Sequence, residues 1–293
     1  MDTKTANRVS VVTMIMNIVL AAFKFAAGIF GHSNALISDA IHSVSDVFST
    51  IMVLFGINMA AKKSDDDHPY GHERIECIFS IILSVTLFLT AFAICRSALN
   101  TIVNKISVET PGISALVAAL VSIAVKEWMY HYTKRTATKI NSSAMLADAW
   151  HHRSDALSSV GALMGVGGAM LGFPILEPIA TLLISVMIGK AAFDIFMDAV
   201  NSLVDHSCSE EELEQLRSTI MEVPGVKGID ELRTRRFGAK TYVDVEISEN
   251  GDMSLYDAHL IAEEVHRKVE QHFPDVKHCL VHVNPFERKE QEI

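Results

Sequence analysis

Two pairs of side chains in this sequence have the types and spacing to hold a metal ion. His42 and Asp46 are four residues apart, and so are His151 and Asp155. On a helix, residues at that spacing project from one face with Cβ atoms roughly 5–6 Å apart. An imidazole and a carboxylate so placed can both reach an ion about 2.0–2.2 Å from each ligand atom. Two such pairs on two helices give four ligands, a set that suits a tetrahedral divalent cation. The bland alternative makes each pair a hydrogen-bonded packing device, and the recurrence of one spacing in two apolar runs weighs against it. Asp39 precedes His42 by one turn on the same face, as an extra ligand or an acceptor for the imidazole. His152 points about 100° away from His151 and reads as packing or access path. Trp150 and Arg153 read as structural.

Two imidazoles with two carboxylates fit Zn²⁺, and also Cd²⁺, Co²⁺ or Fe²⁺; an all-oxygen site would favour Mn²⁺ or Mg²⁺. A second cluster lies in the polar stretch from Asp65 to Glu76, where His68-Pro-Tyr-Gly-His72 follows three aspartates. Asp65, His68 and His72 are its candidate ligands, against the reading of a solvated acidic loop. A third group falls near the end of the chain, where His259, His282 and Glu246 could converge. His266, His272 and His278 read there as ordinary surface histidines.

The elements that must position these residues follow from hydropathy. The 293 residues are 49% hydrophobic and 20% charged, with a mean hydropathy of +0.27. Six segments, about 9–30, 34–60, 75–102, 112–133, 143–171 and 176–203, are long enough for a hydrocarbon core of about 30 Å. Lys4, Arg8, Lys62, Lys63, Lys134, Arg135 and Lys139 flank one side, so both termini are expected in the cytoplasm and the chain in the inner (plasma) membrane. Asn17, Lys24, Asp39, His42, Asp46, Lys126, Glu127, His151, His152 and Asp155 fall in or near the spans. Ionisable groups at that depth face a bundle interior or a watery cavity. Lys24 either neutralises Asp39 or snorkels; Lys126 and Glu127 are read as structural, near the cytoplasmic end of the fourth span. Gly161 and Gly165 form a small-residue packing motif.

From His206 onward the composition changes, with 19 Asp and Glu against 11 Lys and Arg, most of the net charge of −10. Ser209 with Glu212 is a capping box opening a helix to about Met221, and Pro224-Gly225 ends it. Strands are expected over 227–236 and 241–248, the second alternating as Tyr-Val-Asp-Val-Glu-Ile, with a turn at Asn250-Gly251. A helix over about 255–273 precedes a last strand near 277–283. The expected architecture is therefore six transmembrane helices over 1–205 and a cytoplasmic α+β domain over 206–293, ordered αββαβ in a ferredoxin-like, metallochaperone-like manner. The acidic balance argues against nucleic acid as a partner. Cys77, Cys95, Cys208 and Cys279 are scattered, which gives no disulfide framework and suits a reduced compartment.

Taken together, the six spans, the His-x-x-x-Asp pairs in the second and fifth, the His-Pro-Tyr-Gly-His loop and the acidic tail resemble the cation diffusion facilitator family. The resemblance covers essentially the whole chain. It implies a transporter rather than an enzyme: a homodimer in the lipid bilayer exporting divalent metal from the cytoplasm in exchange for protons. It implies a transport site at His42, Asp46, His151 and Asp155 and a loop site at Asp65, His68 and His72. It also implies tail domains that bind metal at the dimer interface, with His259 and His282 at family ligand positions. Glu246 and Asp230 stand where some members have histidines, and Asn284 where some have Asp. His42 resembles the zinc-selective branch, with Zn²⁺ both transported and regulatory, and iron and manganese exporters (Fe²⁺, Mn²⁺) as near relatives; Cd²⁺ and Co²⁺ remain alternatives.

Protons and metal compete for the same imidazole and carboxylate atoms, so inward protons could drive outward metal. Metal in the tail would favour a tightened dimer and raise flux, a coupling typically worth about 1–3 kcal/mol. The rival class is a membrane di-iron oxygenase or desaturase, for which the chain has no third box of the His-x-x-His-His type. A non-transporting metal sensor is the other alternative.

Overall fold

The computed structural model describes residues 3–30, 34–104, 113–170 and 176–286. The side chains of Asp39 and His42, and those of the Gly161-to-Gly165 motif, lie outside the described residues. The described residues divide into two compact units, 1–200 and 201–293.

The first unit has six long helices: α1 (Thr3–Phe30), α2 (Asn34–Ala60), α3 (Ile75–Asn104), α4 (Ile113–Ile140), α5 (Ser143–Met170) and α6 (Leu176–Leu203). Its burial pattern is inverted relative to a protein folded in water. In α1 the buried stripe Ala6, Ser10, Thr13, Asn17, Leu20 and Lys24 recurs every three or four residues, while Val11, Ile15, Ile18 and Val19 are exposed. Such a helix puts its polar groups inside and its apolar ones outside, as a hydrocarbon solvent demands. Of the described helices, Thr3–Ala27 and Ile75–Asn104 are long and apolar enough to cross a bilayer on hydropathy alone, at means of 2.0 and 2.5.

Three local features set the frame around α5. α4 runs to Ile140, past the expected end near 133, so Lys134, Arg135 and Lys139 lie on its last turns rather than in a connecting loop. Lys, Arg, Ala and Thr there carry no helix breaker, and charged side chains allow the helix to project beyond the apolar layer. Asn141 then takes a left-handed conformation (φ 54°), the usual way to end a helix with a short polar residue. Ser142 opens α5: its hydroxyl accepts the Met145 N–H at 3.2 Å and donates to the buried carboxylate of Glu76 at the start of α3. Small residues at Ala144, Ala147, Ala149 and Ala156 are all buried, which lets α5 lie close to its neighbours. It packs against α2, α3 and α4.

The second unit runs α7 (Glu210–Met221), β1 (Gly228–Phe237), β2 (Lys240–Asn250), α8 (Leu255–His272) and β3 (Val276–Phe286). The strand order is β1-β2-β3, with β1 antiparallel and β3 parallel to β2. Leu216 and Ile220 of α7 and Val265 and Val269 of α8 meet Val243, Val245 and Ile247 of β2 in one core. Both helices thus cover one face, following the alternation of β2. The capping box at Ser209 and Glu212 is formed in full.

Candidate metal-transport site

The α2–α5 contact brings side chains from the two sequence pairs together. His151 Nε2 is 3.2 Å from Asp46 Oδ1. The ligand atoms of Asp46, His151 and Asp155 all lie within 4.8 Å of one another. Asp46 is 1% exposed and His151 9%. His42 is one turn before Asp46 on α2, and its side chain lies outside the described residues.

Between the two carboxylates sits the ammonium of Lys126, from α4. Its Nζ is 2.5 Å from Asp46 Oδ2 and 2.9 Å from Asp155 Oδ2, and the side chain is 1% exposed. Lys126, expected to be structural near the end of its span, is a buried ion-pair partner of two of the candidate ligands. The reason is rotational. Lys126 and Glu127 diverge by about 100°, so Lys126 turns inward while Glu127 turns to the half-exposed His131 (3.1 Å) and Arg153 (3.8 Å). Two buried carboxylates need positive charge nearby, and α4 supplies it.

Other polar groups have separate partners. His152 is fully buried, 3.5 Å from the equally buried Asp148, whose other oxygen accepts from Thr50 of α2 at 3.4 Å. The Thr50–Asp148 bond ties α5 to α2 one turn away from the His151–Asp46 contact. Lys24 is buried and donates to Ser43 at 3.0 Å, so it does not snorkel. Arg153 lies over the Tyr130 ring at 4.4 Å.

The loop cluster also converges, with the ligand atoms of Asp65, His68 and His72 within 4.8 Å of one another. Asp65 Oδ1 is 3.1 Å from His68 Nδ1 and Oδ2 is 3.5 Å from His72 Nε2. Gly71 allows this: with φ at 94° it takes a conformation that side chains disfavour, and its N–H closes a turn on the His68 carbonyl at 3.0 Å. The two imidazole centroids are then 4.4 Å apart. Lys62 Nζ is 2.5 Å from Asp65 Oδ2 and holds that carboxyl well below the usual range.

In the second unit Asp230 and Glu246 are joined through Asn284, whose amide donates to Asp230 at 3.0 Å and to Glu246 at 3.2 Å. These bonds, with that from Ser248, depress the Asp230 pKa. Glu246 and His282 are register partners on β2 and β3. His259 is exposed on α8, 3.8 Å from Glu263. Among the described residues the convergent trio here is instead His266, Glu270 and His278, two of which read from sequence as ordinary surface histidines.

Residues 10–204 match the cation efflux transmembrane domain, and residues 208–286 the cytoplasmic domain of cation efflux proteins. The chain belongs to the cation efflux, or cation diffusion facilitator, family. Its members are metal efflux transporters of the membrane, not enzymes. It is 37% identical over 283 residues to metal tolerance protein C1 of Arabidopsis thaliana, covering 92% of this chain and 60% of that protein. It is 33% identical over 288 residues to the manganese efflux system protein MneP of Bacillus subtilis (strain 168), covering 96% of each. To the magnetosome protein MamB of Magnetospira sp. (strain QH-2) it is 32% identical over 271 residues, covering 92% of each.

The contact to the candidate ligands that spacing arguments missed is that of Lys126. Its signal was present: an apolar helix with a lone buried cation requires an anion from a neighbouring helix, and the sequence offers two carboxylates without counter-ions, Asp46 and Asp155. Which face of α4 turns inward, however, is decided by packing.

Proposed function

We propose that this cation efflux protein exports a divalent transition metal, Zn²⁺ first among the candidates, from the cytoplasm in exchange for protons. The observation that carries the reading is the meeting of Asp46, His151 and Asp155, from two helices, at a buried point inside an apolar bundle. His42 is assigned as the fourth ligand. The unit up to about residue 205 carries the ion across the inner membrane with both termini cytoplasmic, and residues from His206 onward form the cytoplasmic domain of a homodimer.

The ligand atoms accept a metal only when the imidazoles are neutral and the carboxylates ionised, so protons compete for the same lone pairs. Histidine, with an ordinary pKa of about 6.5, changes charge between a neutral cytoplasm and a more acidic outside. The site therefore loads metal when it faces inward and is discharged by protonation when it faces outward. Asp65, His68 and His72 form a separate loop site after α2. Asp230, Glu246, His259 and His282 line a regulatory metal site completed by the second copy.

Two imidazoles with two carboxylates favour Zn²⁺ over Mn²⁺ in the usual affinity order. The similarity to MneP over nearly the whole chain supports Mn²⁺ as a second reading, with the cell's free-metal levels setting the choice. Proteoliposomes separate the readings. Wild-type protein is expected to concentrate Zn²⁺ into an acidic lumen ahead of Fe²⁺, Mn²⁺ and Cd²⁺ in competition. Asp155→Ala should lower uptake by about 100-fold or more, as loss of a ligand from a four-ligand site implies, while the protein still elutes as a folded dimer. Wild-type flux in Asp155→Ala, or flux indifferent to the pH gradient, contradicts the proposal.

A further inference from the structure

The trio His266, Glu270 and His278 sits where α8 crosses the open edge of β3. Two of its members have a structural task there. Cys279 in β3 has no further strand to bond on that side, so its N–H donates to Glu270 Oε1 at 3.2 Å and its carbonyl accepts from His266 Nδ1 at 2.7 Å. A carbonyl only accepts, so Nδ1 carries a proton, and whenever the ring is neutral Nε2 is the nitrogen with the free lone pair. That nitrogen is 3.4 Å from Glu270 Oε1, and His278 Nδ1 is 3.3 Å from the same oxygen. With both of these nitrogens unprotonated, three acceptor atoms face one another, an arrangement that a bound cation satisfies. An imidazole whose other nitrogen donates to a backbone carbonyl is also the arrangement that orients histidines toward metals.

We infer that His266 Nε2, Glu270 and His278 Nδ1 form a further divalent-cation site that clamps α8 to the edge of β3. Two nitrogens and one oxygen suit a borderline transition cation, with water completing four-coordination. All three residues are at least partly open to solvent, so the ion exchanges freely. Cys279 is not a ligand: its thiol is buried, and burial with the nearby Glu270 and Asp244 charges pushes it up to about 12. The site shares no residue with the transport set, the loop cluster or the Asp230–Glu246 group.

His278→Ala tests it, because that change leaves both Cys279 backbone bonds in place. In full-length protein carrying Asp155→Ala to silence the transport site, Co²⁺ titration followed by its visible ligand-field bands should lose one tetrahedral equivalent on adding His278→Ala. Glu270→Gln should weaken the same equivalent by about tenfold or more, the usual scale for losing a ligand or its support. Should His278→Ala not fold, His278→Phe serves, since it keeps the ring and removes the donor. Unchanged Co²⁺ stoichiometry and spectrum in either variant overturns the site and leaves the trio as an edge cap.

A different observation supports a second inference, which rests on the transport-site reading. The place an ion would take between Asp46 and Asp155 holds the Lys126 ammonium, 2.5 and 2.9 Å from them. The geometry points to Lys126 as the resident counter-cation of the transport site, which the metal displaces on loading and which helps to expel it on release. Two carboxylates in a low-dielectric bundle are costly without positive charge, and metal plus ammonium at one point is costly as well. A fixed positive group on a flexible stem satisfies both conditions in turn.

Lys126→Met is expected to bind Zn²⁺ about tenfold tighter or more, because no internal cation opposes the ion, and to release it more slowly in single-turnover efflux. A Zn²⁺-bound wild-type structure should show Nζ beyond hydrogen-bond reach of both carboxylates. Equal or weaker Zn²⁺ affinity in Lys126→Met, or Nζ still bridging beside the bound ion, overturns the exchange. If Asp155→Ala keeps the ion, the site assignment itself fails. If Asp155→Ala loses the ion while Lys126→Met binds as wild type does, the failure belongs to Lys126 alone.

Discussion

Adjacent residues on one helix take opposite roles at the centre of this protein. His151 faces Asp46 across the α2–α5 contact, while His152, fully buried, faces Asp148 on its own helix. His151→Ala should therefore abolish flux with little change in melting temperature. His152→Ala opens a cavity at a packed contact, a change that costs about 2–4 kcal/mol for side chains of such size, and should keep measurable metal affinity. Thermal melting and Zn²⁺ titration in detergent separate the two, and equal loss of affinity in both variants contradicts the assignment. The candidate ligands were legible because helical spacing is a local property: His-x-x-x-Asp fixes a shared face whatever surrounds it. Lys126 and the His266–Glu270–His278 trio were not. The first depends on how α4 is rotated, and the second on the strand register that brings His278 to α8.

Close approach of the helices holds the ligands at their distances. A Cβ on Gly56 of α2 would lie 2.9 Å from Cβ and Cγ of Phe79 on α3, near the Phe79 backbone, so relief requires the helices to move. Gly56→Leu is expected to lower stability by about 1–3 kcal/mol through overpacking, more than the roughly 1 kcal/mol that leucine adds in helix preference, and melting temperature measures it. In the cytoplasmic unit the capping box is the corresponding device. Its bonds from Ser209 depress the Glu212 pKa, so its contribution is complete above the ordinary glutamate value of about 4.3 and is lost as pH falls below it. Hydrogen exchange of α7, corrected for intrinsic rates, should hold steady above about pH 5 and accelerate below about pH 4. Ser209→Ala should remove about 1 kcal/mol at neutral pH and reduce, without abolishing, that acid response, because the Ser209 backbone N–H that contributes most to it remains. The helix and strand order of this unit was readable because its capping, alternation and turn residues are local; the parallel pairing of β3 with β2 was not, since it needs α8 to cross first.

At the scale of the molecule, the inverted burial pattern of α1 and the match to the cation efflux transmembrane domain agree with the proposal that metal crosses inside the helical bundle. All six helices were legible as apolar runs of membrane-crossing length; which polar side chains meet inside them was not, because that depends on how each helix is rotated in the bundle. The proposed exchange of a divalent ion against protons rests on ligands that can bind either one, and two lysines, Lys126 and Lys62, rest on aspartates of the candidate clusters. The central claim is that one ion sits between α2 and α5, and anomalous scattering at the zinc edge from Zn²⁺-loaded full-length protein tests it most directly. A peak about 2.0–2.2 Å from ligand atoms of His42, Asp46, His151 and Asp155 is the expected result. Peaks confined to the loop or the cytoplasmic unit, with that point still held by Lys126 at saturating zinc, would contradict it.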